Sequence, residues 1–434
     1  MSIRDFTKDI NAIKLDIANI KLDIGKLNTT LLGLKTQINN LSVLIEKYNI
    51  DIQNKILLLD DRIKKLEIIS PMVPPVIPVE IPPESILPQK WATGDGTVGD
   101  PWANNCINSA LTNCPVGGTI YLKAGYYLLS TTLGINKKVS IIGEGRMKTI
   151  IVTSMTNSNA IYNEQGYIIL KGFTIDCDSQ LINYSGINIH NADYITIEEV
   201  EVKNSGWTGI NIFQCNHCIF KNVYSHDNGE HGFHPGSNIS GRNMYNTYQN
   251  LYAWNNVECG FGDRGNQLAQ LPVYNESYLE DCSNVYDNIR SWNNGMNGTY
   301  VQYQKGATIS NCYSEKNGRT GFDFGALHNS SITNCKALLN GMVMGYAGIL
   351  IGNATDQILT NVIALNNYTG ICLVDCTNPK LISCQSYDDR VIPLQRRGLE
   401  LEGNNIGISI ENCKWTPNAL AEIFNPNKVV VTIK

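Results

Sequence analysis

Between residues 173 and 413 the chain repeats itself. A small apolar residue flanked by alternating polar ones recurs at Phe173, Val200, Val223, Leu251, Ile289, Cys312, Cys335, Val362, Cys384 and Cys413. The successive intervals are 27, 23, 28, 38, 23, 23, 27, 22 and 29 residues. About five residues after most of these comes a turn built on Asn. It is clearest in Asn228-Gly229-Glu230-His231-Gly232-Phe233 and Asn317-Gly318-Arg319-Thr320-Gly321-Phe322. So short a unit cannot bury its own apolar face, whereas a stack of units can, which is the signature of a parallel β-solenoid. Propeller blades need nearly twice this length and leucine-rich repeats need a denser leucine pattern. Equivalent positions in a solenoid stack about 4.8 Å apart, so the recurring apolar residues predict an interior ladder. Cysteine fits that ladder as a small buried hydrophobe. All 13 cysteines lie beyond residue 90, and an odd number cannot pair completely within one chain, so no disulfide framework is expected. Asn at the turns can bond neighbouring backbone and tolerates left-handed geometry.

Two segments of different character precede the repeats. Residues 1–69 carry a heptad seam, with Ile3, Ile10, Ile17, Ile24, Leu31, Ile38, Ile45 and Ile52 at one core position. Phe6, Ile13, Ile20, Leu27, Leu34, Leu41 and Tyr48 occupy the other. One helix cannot bury this seam, so it predicts a coiled coil, with a stutter beyond Ile52. Isoleucine at both core positions favours a parallel homotrimer; a later Ile-with-Leu pattern leans toward two strands, and docking onto another protein is the further alternative. Residues 70–90 hold Pro71, Pro74, Pro75, Pro78, Pro82, Pro83 and Pro88, which no helix accommodates, and read as a semi-rigid linker. Residues 91–434 are the solenoid. The expected fold class is therefore mainly β, a parallel β-helix with an N-terminal α-helical stalk.

The start of the solenoid carries a resemblance. Gly94-Asp95-Gly96-Thr97, the stretch Asn105 to Asn113, and Gly117-Gly118-Thr119-Ile120-Tyr121-Leu122-Lys123-Ala124-Gly125-Tyr126-Tyr127 are similar to the entry of pectate-lyase-like right-handed β-helices. Ile141-Ile142-Gly143-Glu144-Gly145 resembles the next strand and turn of that superfamily. The resemblance implies a short helix capping the first coil and a right-handed solenoid. It is shared by phage tailspikes and by polysaccharide-cleaving enzymes, and so does not choose one reaction.

Aligning the coils brings two sets of side chains into register. Lys203, His226, Trp254, Trp292 and Glu315 share one outward column, and Tyr224, Tyr252, Arg290 and Tyr313 share another. Aromatic residues so spaced can stack on sugar rings, which makes Trp254, Trp292, Tyr224 and Tyr252 candidate carbohydrate contacts. The alternative is packing beneath an insertion or between subunits. At the turn, Glu230 aligns with Glu258; His231 and His234 flank the first, while Asp263 and Arg264 follow the second. Asp323 is expected near His234's column two coils later. Two carboxylates could divide acid and base work on a glycosidic bond. A β-elimination or epimerisation would instead use His231 or His234 as base, with Arg264 neutralising a uronate. The bland alternative is a set of solvated turn residues. The 38-residue interval, roughly residues 262–285, places an insertion beside the cluster. Polygalacturonase signatures are missing, and Phe233-His234-Pro235 is similar to the alginate-epimerase Asp-Pro-His motif but lacks its acid. Cys215, His217 and Cys218 have zinc-like spacing without a second cysteine pair, so the ladder is preferred and no metal or cofactor is expected.

The formal charge is -5 with no basic patch, which argues against a nucleic-acid partner. No apolar run reaches the roughly 18 residues of a membrane span, and the polar N-terminus does not read as a signal peptide. A trimeric stalk, a spacer and a β-helix together resemble a tailspike or tail fibre. Such a protein is anchored to a larger assembly by its N-terminus, is displayed on a virion or other extracellular surface, and binds or cleaves a polysaccharide. A free-standing lyase, hydrolase or epimerase and a structural surface filament are the rival readings.

Overall fold

The computed structural model describes residues 85–178, 184–238, 241–270 and 276–434. The heptad segment, its expected trimer and the linker as far as residue 84 lie outside them. The last residues of the proline-rich segment join the solenoid: Ile86 pairs with Ile120, and Pro88 is buried at the start of the short 3-10 helix Pro88–Trp91. The one α-helix among the described residues, Cys106–Asn113, turns Cys106, Ile107, Ala110 and Leu111 inward and closes the first coil, as the resemblance implied.

Beyond it the chain winds as a solenoid with three strand-bearing faces. Strands pair in parallel with their equivalents one coil away, as in Thr196–Glu198 with Ile219–His226 and Ile210–Phe213 with Phe233–Gly236. The third face is a 12-stranded sheet. The first two faces join into one 21-stranded sheet because the strands Ile219–His226, Thr247–Trp254 and Val285–Trp292 run on around the corner. Asn222, Asn250 and Asn288 make that corner, each with φ of 54°. Asn250 and Asn288 each donate a side-chain hydrogen bond to the corner Asn of the preceding coil, at 2.9 and 2.8 Å.

The expected interior ladder is present, with Val223, Leu251 and Ile289 in register. Every member is buried except Cys413, which is half-buried. All thirteen cysteines are free. Cys215 and Cys218 point their thiols at backbone carbonyls of Phe213 and Asn216, while exposed His217 lies between the rings of Tyr194 and Tyr245, so these three do not converge on one point.

A second ladder is polar. The amides of Asn228, Asn256, Asn294, Asn317, Asn340 and Asn367 are buried. Each of the first five directs its backbone N–H and its side-chain Nδ2 at the Oδ1 of the next; for Asn256 and Asn294 these bonds are 3.1 and 2.9 Å. The left-handed residue of this turn is the one before the Asn, as at Asp227, Asn255, Asn293 and Lys316. The repeated Asn is therefore selected for burial with both ends of its amide bonded, since an unsatisfied buried polar group costs about 1–3 kcal/mol.

Candidate functional site

The turn after each ladder asparagine delivers one residue to the rim of the third face. Glu258 donates its N–H to the carbonyl of Glu230 at 2.8 Å, Met296 to Glu258 at 2.7 Å, and Arg319 to Met296 at 2.9 Å. Glu230 and Glu258 thus stand side by side on adjacent coils. Three residues later the chain enters the third face, where parity decides what is presented. Phe233 and Phe261 point inward and are fully buried, so His234 and Gly262 point outward. Gly262 pairs with Tyr300, and Tyr300 with Asp323, which sets Asp323 three coils from His234 rather than two. Beside this column runs a second, containing Gly236 and Arg264, whose N–H bonds the Pro235 carbonyl at 3.2 Å.

Gly262 has a specific task here. A Cβ at that position would lie 2.2 Å from Tyr300 Cζ, so the bare backbone lets the phenol lie across it. The His231 and His234 rings sit 4.8 Å apart, and the Arg264 guanidinium lies 5.9 Å from the centre of the Tyr300 ring. His231, His234, Arg264, Tyr300, Glu230 and Glu258 therefore form one cluster.

Burial controls its protonation. Desolvation, then the charge of Arg264, lowers His234 to about 4; desolvation, His234 and Arg264 lower His231 to about 2. Both imidazoles are neutral at neutral pH. Both ring nitrogens of His234 are buried without a hydrogen-bond partner. Burial also pushes the Tyr300 phenol up, so it keeps its proton. Glu230 is raised by burial and by Glu258, against the hydrogen bond it accepts from Thr208 at 2.9 Å. Asp323 is raised to about 6 by burial, against bonds from Gln302 and Asn297.

Other expected residues fall elsewhere. Asp263 is a correction: outward Gly262 forces it inward, where it is fully buried and accepts bonds from Tyr286 at 2.6 Å, Asn243 at 2.7 Å and the Gly265 N–H at 2.7 Å. It braces the solenoid interior. Trp254 and Trp292 are adjacent as expected, but they face each other at 4.8 Å and 8°, with His226 stacked on Trp254 at 3.9 Å. Tyr224 and Tyr252 likewise stack at 4.8 Å, with Arg146 over Tyr224. Identical rotamers at the coil spacing cover one another's faces, so these rings offer edges to solvent on the second face, around the turn from the His–Arg cluster. The sequence reading missed Tyr300 and Gly262, because the signal was a glycine opposite an aromatic across coils of unequal length.

Glu230, His231 and Glu258 bring potential ligand atoms within 4.8 Å of one another. The Cys259 N–H, however, donates to His231 Nδ1 at 3.3 Å, which leaves the ring proton on Nε2, 3.6 Å from Glu258. A metal at Nε2 would have to displace that proton and break the backbone bond. The trio fits a hydrogen-bonded rim better than a cation cage.

Residues 86–390 match the Pel9A-like family, described as a right-handed β-helix region. The chain belongs to the Pel9A-like right-handed β-helix family. Within this family frame it is 25% identical over 225 residues to pectate lyase L of Paenibacillus polymyxa (strain SC2), a stretch covering 49% of this chain and 45% of that one. The chain thus spans less than half of that relative's length. Among solved structures, the A-module of an Azotobacter vinelandii mannuronan C-5 epimerase superposes with a TM-score of 0.64 at 18% identity, over 80% of this chain and 99% of that one. The Dettilon tailspike protein gives 0.56 at 11% identity, over 79% of this chain and 69% of that one. At these identities the structural likeness shows a shared fold. Among the described residues no helix is long and apolar enough to cross a membrane.

Proposed function

We propose that the third face of this β-helix acts on a uronate-containing polysaccharide by taking the proton α to the sugar carboxylate. The observation that carries this reading is Arg264. Its guanidinium is half-buried, beside two neutral histidines, with no carboxylate at ion-pair distance among the described residues. A half-buried cation that meets Glu230 only beyond ion-pair distance is costly unless a ligand supplies a contacting anion. With a uronate carboxylate on Arg264, charge developing on the carboxylate during C5 deprotonation is stabilised. His234, whose ring nitrogens are buried without a protein partner in the free chain, accepts the C5 proton once substrate binding shifts the side chains that cover them. As the C5–H electrons form the C4–C5 double bond, the C4–O bond breaks, and the Tyr300 hydroxyl protonates the departing oxygen. Returning a proton to the opposite face of C5 would instead give epimerisation. The relatives, a pectate lyase and a mannuronan epimerase fold, are in keeping with this chemistry. Glu230 and Glu258 share one rim rather than flanking a bond from two sides, which disfavours the hydrolytic alternative.

The test is incubation of the full chain with polygalacturonate and with mannuronan, following ultraviolet absorbance of unsaturated ends and proton exchange at C5. His234→Gln should lower turnover by about 10²–10⁴-fold, the usual range for a lost acid–base group, and Arg264→Ala by about 10²–10³-fold, as for a lost electrostatic stabiliser. Parent-like activity in both variants would overturn the assignment.

A second reading concerns display. The heptad seam and proline-rich spacer favour a homotrimeric, tailspike-like protein carried on a virion or other extracellular surface and anchored by its N-terminus, where the same face serves host-glycan binding. Light scattering on the full chain tests it, since a monomer at micromolar concentration would rule out the stalk.

A further inference from the structure

The two outward columns of the third face continue past the His–Arg cluster. Asp323 pairs with Leu350, Leu350 with Cys372 and Cys372 with Glu400; alongside, Gly325 pairs with Gly352, Gly352 with Val374 and Val374 with Glu402. Gly325 and Gly352 carry no side chain in the second column, and a Cβ at Gly352 would meet nothing within 4 Å, while Gln302 stands between Arg264 and Gly325 with its side chain over Gly325. Beyond Gln302 the low stretch at Gly325 and Gly352 leads to an open cleft of about 290 Å³ lined by Thr320, Tyr346, Leu350, Thr369, Glu400 and Glu402, among others. At about 4.8 Å per coil, Glu402 lies five coils, or roughly 24 Å, from Arg264.

The cleft has unspent hydrogen-bonding capacity. Thr320 and Thr369 are only 2% and 6% exposed, line the cleft, and make no side-chain hydrogen bond among the described residues. Glu400 is buried and tied to Arg397, while Glu402 is exposed. Tyr346 is 42% exposed with Arg319 beside its ring at 5.6 Å, and Leu350 adds an apolar patch. Threonine hydroxyls that lack protein partners, a free carboxylate acceptor and an aromatic wall suit the hydroxyls and apolar face of a pyranose. Glu402, without a cation partner among the described residues, repels a uronate, whereas Glu400 is neutralised by Arg397.

We propose that this cleft is a subsite for a neutral sugar unit of the same polysaccharide whose uronate meets Arg264. The preferred substrate is then a mixed chain, with anionic and neutral units a few residues apart, rather than an all-uronate polymer. The subsite rests on the reading of the Arg264 site, but its recognition chemistry is independent of turnover.

The probe is polygalacturonate with about half of its carboxyls chemically reduced to alcohols, compared with the unreduced polymer by calorimetry on the full chain. The reduced polymer should bind at least fivefold more tightly. Glu402→Lys, in a protein of unchanged melting temperature, should erase or invert that preference, and Tyr346→Ala should weaken binding of the reduced polymer at least fivefold. Equal binding of the two polymers with turnover intact contradicts the subsite alone. Selective binding without turnover supports the subsite and sinks the proposed reaction. Binding of neither polymer at millimolar sugar contradicts both.

Discussion

The ring of Tyr300 lies across the backbone of Gly262, so closely that a Cβ at Gly262 would sit 2.2 Å from Cζ and 2.5 Å from the hydroxyl oxygen. Neighbouring coils thus cooperate: one withholds a side chain so that the next can lay a phenol over its outward surface, in the His–Arg cluster.

Gly262 lies outside the left-handed region, so alanine is tolerated by its backbone and the effect of Gly262→Ala is steric. Overpacking of this kind costs about 1–3 kcal/mol. Chemical denaturation should show that loss, together with a drop in turnover as Tyr300 is displaced. In a Tyr300→Ala background the same substitution should cost much less, a coupling that a double-mutant cycle reads directly. An additive cycle would show that the two residues do not compete for one space.

The thiols should react unequally. Burial raises Cys106 to about 11 and Cys259 to about 12, whereas half-buried Cys413 is pulled below the ordinary thiol value by hydrogen bonding with Cys384. In native protein a thiol reagent at mildly alkaline pH should modify Cys413 first, with the remaining cysteines labelled only on unfolding. Rapid native labelling of Cys312 or Cys335 would contradict the interior ladder.

Acid should destabilise the fold through its two buried histidines. His231 and His234 are lowered to about 2 and about 4, so below about 6.5 the unfolded chain takes up protons at both positions that the folded chain refuses. This contribution is complete above the unfolded value and is lost as pH falls toward the folded one. Asp323, raised to about 6, takes up its proton in the folded state first and offsets part of the loss. The melting temperature should therefore fall between pH 6.5 and 4, and less steeply in His231→Gln. A profile unchanged by that substitution would mean His231 is not buried neutral.

Much of this arrangement was legible in the sequence because a solenoid repeats its physical demands on every coil. An interior position must be apolar each time round, so the spacing of Val223, Leu251 and Ile289 located the ladder and its register. The same alignment placed His226, Trp254 and Trp292 in one column and Glu230 beside Glu258. What spacing could not convey was parity within a three-residue strand. Phe261-Gly262-Asp263 turns on which residue is outward, and the glycine took that place, sending Asp263 inside. Spacing was equally silent on ring orientation: Trp254 and Trp292 satisfy one another's faces because one rotamer repeated at the coil rise is itself a stack. Tyr300 was hidden for a related reason, since the residue that accommodates it is defined by a side chain it lacks.

The most direct test of the proposed chemistry is the fate of solvent oxygen. Polygalacturonate cleaved by the full chain in oxygen-18 water should yield fragments with unsaturated, unlabelled ends, because elimination breaks C4–O without adding water. His234→Gln should abolish those ends while Glu230→Gln leaves them in place. Saturated fragments carrying oxygen-18, lost in Glu230→Gln and retained in His234→Gln, would contradict the account and assign the work to the paired carboxylates.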